Sequence, residues 1–350
     1  MECQKDKNNT GRRLALFGDA RQRKRYLCAL VMILLMIGVA EFLGEKEIIF
    51  PEMAALTIGM WIVDKRVWRV RYGQMVLLMT AGACAGVLLV LYSPFPLVVN
   101  VAAAFLFAAV GLLFTRSSLF PMISACVLPV LLRTEGWIYP LSVFIMTLII
   151  IVTQRGMEHL GVRKPITYEA VERHWKTDVY RWACLLVSVF AVACLAVYTS
   201  NFYFIIPPLI VAYVEFVNSK AGFRNRPVLT VLLLTVGSLI GTVFQLFGYH
   251  YLGLSETVVA LFIIVVLFTL FEWLGKFFAP VGALVLIPML LPAEALPWLP
   301  LQVLVGSSLF IFMGMVFFLQ CYKWSRAQVV YCLIPHYLLG RLNRNKRRRA

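Results

Sequence analysis

The sequence predicts an all-α polytopic membrane protein: twelve transmembrane helices in two parallel six-helix repeats, with both termini cytoplasmic. Three observations carry this expectation. Hydrophobic residues make up 61% of the chain and charged residues only 14%, too little charge to clothe a soluble surface of 350 residues, and apolar runs near helix-spanning length recur. Lys65, Arg69, Arg71, Gly82 and Gly86 return in the same spacing as Lys220, Arg224, Arg226, Gly237 and Gly241, and Pro121, Pro129 and Glu135 return as Pro280, Pro288 and Glu294. With the amino terminus placed in the cytoplasm, all of the 33 Lys and Arg except Lys46 and Arg133 fall on the cytoplasmic side. Topology therefore accounts for the net charge of +16, and nucleic acid is not expected as a partner.

The basic tail 1–25 reads as a solvated topogenic segment, with contact to anionic lipid at the inner leaflet as the alternative. Segment 26–43 follows it and lacks a small-x-small cleavage site, so it is a permanent helix rather than a signal peptide. Segment 47–63 begins at Phe50-Pro51-Glu52 and leads to the basic loop of Lys65, Arg69 and Arg71. Proline is tolerated in a first helical turn, where its missing N–H would be unpaired anyway, so Pro51 marks a helix start. Segment 74–92 carries Gly82 and Gly86 at small-xxx-small spacing, suited to close helix packing. Segments 97–114, 119–133 and 138–154 complete a first repeat, 26–154, and the linker 155–180, with Pro165 followed by alternating acids and bases, reads as a surface helix.

The second repeat, 181–320, contains segments 181–199, 202–217, 228–248, 255–274, 277–292 and 298–320; Ile206-Pro207-Pro208 occupies the place of Phe50-Pro51-Glu52. Segments 119–133 and 277–292 give only about 22–24 Å of helix at 1.5 Å per residue. They are retained as spans because a re-entrant 119–133 would turn the basic stretch Arg155 to Arg181 outward. An even number of spans makes the repeats parallel, related by an axis along the membrane normal. The tail 321–350 interleaves aromatic and polar residues and ends in a basic cluster, as an interfacial anchor does.

Transporters of such architecture hold their sites between the repeats. The candidate pathway is therefore lined by Pro121, Ser124, Pro129, Pro280, Gly282 and Pro288 in the fifth segment of each half, and by the helix starts Pro51, Pro207 and Pro208. Internal prolines free carbonyl groups that survive in a membrane only where protein or water covers them, and helix N-termini present partial positive charge to an anion. Lys65, Arg69, Arg71, Lys220, Arg224 and Arg226 form a candidate basic gate at the inner mouth. Glu52, Glu215 and Glu272 are the acids within spans and the candidates for proton coupling, although Glu52 has Pro208 rather than an acid as its repeat counterpart. The cysteines and histidines show no metal-ligand spacing, no cofactor is expected, and the absence of HExxH, GxSxG or a phosphate loop argues against an enzyme.

Two families share pieces of this pattern. Ile206-Pro207-Pro208 and Phe278-Ala279-Pro280-Val281-Gly282-Ala283, with a weaker copy in Phe120-Pro121 and Ser124-Ala125, resemble the HPP family of bacterial and plastid membrane proteins. That family's histidine is replaced here by Phe278 in the second half and by Leu119 or Phe120 in the first. Met53-Ala54-Ala55-Leu56-Thr57, followed by a basic loop and a glycine-spaced helix, resembles the fusaric acid and aromatic acid exporters. Those exporters commonly carry a cytosolic domain, for which the linker here leaves no room. The resemblances imply transport of small anions, nitrite by the first and organic acids by the second.

The expectation is thus an inner-membrane transporter or channel for a small anionic solute, with membrane lipid as its other partner. Homo-oligomerisation is allowed but not required. A non-transporting scaffold acting through linker and tail is the alternative, and a lipid-modifying enzyme a third.

Overall fold

The computed structural model describes residues 19–65, 67–165, 168–172, 174–218 and 226–321. The interfacial tail beyond Cys321, most of the basic amino-terminal tail, and Lys220 and Arg224 lie outside the described residues.

Among the described residues the chain is helical and contains no strand. Eight helices are long and apolar enough to cross a membrane: α1 (Ala20–Leu43), α3 (Tyr72–Tyr92), α4 (Leu97–Thr115), α6 (Ile138–His159), α7 (Trp175–Tyr198), α9 (Pro227–Phe244, continued by a π-helical stretch to Tyr251), α10 (Glu256–Leu274) and α12 (Leu299–Cys321, with a 3-10 lead-in from Ala293). The protein is therefore membrane-integral. Each long helix turns an apolar face outward, including Leu77 of α3, Leu106 of α4, Val187 of α7 and Phe262 of α10, as helices bathed in lipid do.

The remaining four apolar segments are different. They fold as α2 (Glu52–Thr57, continued by a π-helical stretch Ile58–Ile62), α5 (Pro121–Leu132), α8 (Pro207–Asn218) and α11 (Ala279–Leu284, followed by a 3-10 turn Ile287–Leu290). Twelve helical residues reach only about 18 Å, well short of a hydrocarbon core of about 30 Å. These are the second and fifth segments of each half, and proline sets their length: Pro51 immediately precedes α2, Pro121 and Pro207 open α5 and α8, and Pro280 stands in the first turn of α11.

The short helices are the buried centre of the molecule, since almost every residue of α2, α5, α8 and α11 is inaccessible. They pack crosswise between the halves of the chain, α2 against α11 and α5 against α8, while α3 covers α5, and α9 and α12 cover α11 and α8. Glycine permits the closest approaches. A Cβ built on Gly86 of α3 would lie 2.3 Å from the Cys126 carbonyl oxygen and 2.5 Å from Pro129 Cγ. A Cβ on Gly241 of α9 would lie 2.3 Å from the Val285 carbonyl oxygen and 3.0 Å from Pro288 Cγ. The same backbone contact thus seats both halves' fifth segments.

Polar groups pin the two ends of this bundle. The Glu41 carboxylate accepts the Glu256 and Thr257 backbone N–H groups, each at 3.0 Å, and the Thr257 hydroxyl at 2.6 Å, so the last turn of α1 caps α10. Nearby, Lys46 lies 3.5 Å from Glu256 and donates to the Met289 carbonyl at 3.3 Å. At the opposite end Arg163 donates to the carbonyls of Trp61 (2.7 Å) and Val63 (2.9 Å), and Arg25 to the Trp61 carbonyl (3.3 Å) and Asp64 (2.7 Å). Two guanidiniums therefore close the C-terminal end of the α2 segment, where carbonyls lack intrahelical donors. Burial, and after it the neighbouring Arg25 charge, lower the Arg163 pKa to about 10, so the cap remains charged at neutral pH.

Candidate functional site

The four short helices meet at one small cavity lined by buried residues, with about 10 Å³ open to a water-sized group, at the lower edge of what one water requires. Each contributes residues one helical turn apart: Glu52 and Ala55 from α2, Pro121 and Ser124 from α5, Pro208, Val211 and Glu215 from α8, Pro280 and Ala283 from α11. Trp68, on the segment between α2 and α3, completes the wall. The i, i+3 spacing carries small and polar residues inward because each helix starts beside the cavity and presents its first turns to it.

The cavity is a carboxylate site. Glu52 is 1% exposed and its Oε1 accepts a short hydrogen bond from the Ser124 hydroxyl, while its Oε2 has no hydrogen-bond partner among the described residues. Glu215 is 8% exposed, and its Oε1 accepts the Trp68 indole N–H at 2.8 Å. Behind Ser124, the Tyr139 hydroxyl donates to the Ala125 carbonyl at 3.2 Å, holding α5 against α6. Among the described residues no Lys, Arg or His lines the cavity.

The prolines expected to open the helix interior divide into two groups. Pro121 and Pro280 line the cavity as helix starts rather than as mid-helix breaks, and Pro208 lines it as the helix start it was expected to be. Pro129, inside α5, and Pro288, in the 3-10 turn after α11, pack instead on Gly86 and Gly241. Pro51 and Pro207 are buried but do not reach the cavity, and Gly282 is pressed on the Ala54 backbone and the Ile58 side chain, where it lets α11 approach α2. Ser124, next to Glu52, and Ala283 do face the space.

Most amides at the helix starts are already engaged. The N–H groups of Met53, Ala54, Met122, Ile123, Leu209 and Val281 donate to carbonyls three residues back, at 2.8–3.1 Å, and proline supplies none. First-turn donors that bond the lead-in segment cannot also serve a ligand.

Among the three acids, Glu52 and Glu215 come together at the cavity, whereas Glu272 lies elsewhere. Its Oε1 accepts a short bond from the Tyr26 hydroxyl and a 2.8 Å bond from Gln22, joining α10 to α1. The basic residues are peripheral. Lys65, Arg69 and Arg71 are exposed, Arg71 lying 4.9 Å over the Tyr168 ring, while the Arg69 backbone N–H donates to the Ser118 hydroxyl and its carbonyl accepts the Ser118 N–H. Arg226, at the start of α9, is the described member of the second set, its carbonyl accepting the Thr230 hydroxyl.

Three contributors have no counterpart among the expected site residues. Trp68 sits inside the loop whose cations suggested topology and a basic gate, though a tryptophan amid Lys65, Arg69 and Arg71 is itself a signal of a buried anchor. Gln154, a lone amide near the end of an apolar run, is 1% exposed and bonds Glu158 at 2.6 Å. Arg163, in the linker, caps the α2 segment. No family model matches this sequence, and comparisons with curated proteins and with solved structures likewise return no match.

Proposed function

We propose that this chain is a transporter of a small anionic solute, moved together with protons through the centre of the helical assembly. The carrying observation is that Glu52 and Glu215, from opposite halves of the chain, face one buried cavity where the four short helices meet. Carboxylates in so dry a place pair, bind water or take a proton, and among the described residues no cationic side chain lines the cavity to pair with them. An anion 4 Å from an ionised carboxylate is repelled by about 4 kcal/mol at an effective dielectric of 20, so protonation must accompany its passage. The exposed Lys65, Arg69 and Arg71 would concentrate anions on one face.

On this reading the chain is a duplication, with α1 to α6 and α7 to α12 as parallel units about an axis through the cavity. Supporting it are the equivalent seats of Gly86 and Gly241 and the reciprocal packing of α2 on α11 and of α5 on α8. Each short helix and its extended lead-in together cross the membrane, giving twelve passes with both termini cytoplasmic in the inner membrane. Cysteines replacing Lys46 and Lys65 should then react with an impermeant thiol reagent from opposite sides. The resemblances to the HPP family and to the aromatic acid exporters agree with an anionic solute, and catalysis forms no part of this reading.

The test is uptake by purified protein in liposomes across a panel of inorganic and organic anions, with small cations included, under an imposed pH gradient. Proton-driven accumulation of an anion, abolished by a protonophore, is expected. Flux indifferent to the gradient, or flux of cations alone, refutes coupled anion transport. The small free volume of the cavity favours a second reading, a scaffold that transports nothing, and an absence of flux across the whole panel would support it.

A further inference from the structure

The central cavity has a neighbour. A second cavity of about 30 Å³, enough for one or two waters, is lined by Gly59 and Met60 of the π-helical stretch, Val67 and Val70 of the following loop, Tyr72 of α3 and Gln154 of α6. Val67 on its wall is 36% exposed and belongs to the loop that carries the exposed Arg69 and Arg71. Its polar wall suits water: Gln154 Oε1 is buried without a hydrogen-bond partner among the described residues, while the Gln154 amide and the Tyr72 hydroxyl both donate to Glu158, at 2.6 and 2.7 Å.

Trp68 lines both cavities and is 4% exposed. Its N–H is bound to Glu215 on the central side, and its six-membered ring lies over Gly59, where a built Cβ would come within 2.5 and 2.6 Å of ring carbons Cζ3 and Cη2. The residue beneath the ring must therefore be glycine, and it stands in a π-helical stretch, a feature frequent at functional sites.

We propose that Trp68 is the inner gate of the pathway: its indole is the wall between the central carboxylate cavity and a water-holding vestibule on the basic face. This rests on the transport reading above. The gate has a latch and a seat. The N–H bond to Glu215 ties the closed position to the carboxylate that handles the proton, and Gly59 provides the flat surface on which the ring rests. Swinging the ring out joins the two cavities and wets Glu215 from the basic side.

Accessibility tests this independently of flux. Val211 lines the central cavity one turn from Glu215, so Val211→Cys, in a background without the native cysteines, reports entry of a charged methanethiosulfonate added to the basic face. Trp68→Ala should raise the labelling rate about tenfold or more, while Trp68→Phe, which keeps a ring but loses the latch, should raise it less. Gly59→Ala should raise it with Trp68 still present, because the added methyl displaces the ring, and this variant decides the matter should Trp68→Ala not fold. Equal labelling of the Val211→Cys parent and its Trp68→Phe and Trp68→Ala derivatives, or no effect of Gly59→Ala, overturns the gate. Trp68-dependent labelling in a protein that moves no solute would instead keep the gate and sink the transport reading.

Discussion

Replacing Gly86 by alanine tests the packing that creates the cavity. The added Cβ would lie 2.3 Å from the Cys126 carbonyl oxygen, where 3.4 Å begins ordinary contact, so α3 and α5 must part by about 1 Å. The obstacle is backbone and a proline ring, neither of which can rotate aside. Overpacking of this kind costs about 1–3 kcal/mol, set against roughly 1 kcal/mol that alanine gains over glycine in a helix interior. The net loss, up to about 2 kcal/mol, lowers the folded-to-unfolded ratio by up to about 30-fold. Gly241→Ala should behave alike, its Cβ being 2.3 Å from the Val285 carbonyl oxygen. Gly156→Ala in α6 is the control, because nothing lies within 4 Å of its Cβ and only the helical gain remains. Reversible unfolding in detergent micelles, followed by circular dichroism, measures all three. Gly86→Ala and Gly241→Ala as stable as Gly156→Ala would refute the contact that seats the fifth segments.

Glu52→Gln and Glu215→Gln keep the shape of the cavity but cannot release a proton, so each should abolish gradient-driven accumulation while leaving exchange of solute down its own gradient measurable in the liposome assay. Ser124→Ala removes the hydroxyl that Glu52 accepts and should shift the pH profile of uptake with a stability loss of about 1–3 kcal/mol. Arg163→Ala strips charged donors from the Trp61 and Val63 carbonyls and should cost about 2 kcal/mol or more in the same unfolding assay, with Arg163→Lys only partly restoring it, since an ammonium cannot fork across two carbonyls. Lys46→Ala should change stability by less than about 1 kcal/mol, because its side chain is largely exposed and the pair with Glu256 is 3.5 Å long.

The helical membrane class and the positions of all the apolar segments were legible in the chain, because lipid demands apolar length and that demand is written in consecutive residues. The segment 277–292 was visibly short, yet its helix ends even sooner, at Leu284, since Pro288 stands in a separate turn. Helix starts at Pro51 and Pro207 were also readable, as a proline signal is local, whereas Pro121 and Pro280 read as internal prolines and instead begin helices. The cavity residues were readable only in part. Pro121 and Pro280 stood out by their recurrence and Ser124 as a small residue beside them, but recurrence argued against Glu52, whose counterpart is Pro208. In the fold, Glu52 and Pro208 face the same space, so the halves supply different chemistry to one shared site. Glu215 could be read as a partner for nearby Lys220; its observed partner is Trp68, far away in sequence, which no local pattern announces.

The sequence by itself determined that this protein is a bundle of apolar helices punctuated by proline and glycine, since each of those properties acts within a few residues. Only the tertiary structure decided that the four short helices converge, that Glu52 and Glu215 come together while Glu272 stands apart, and that Trp68 separates two cavities. Such proximities depend on how close α3 and α9 approach their neighbours through Gly86 and Gly241, and on two helices from each half crossing into the other. Distances of that kind are products of packing in three dimensions and have no one-dimensional period to betray them.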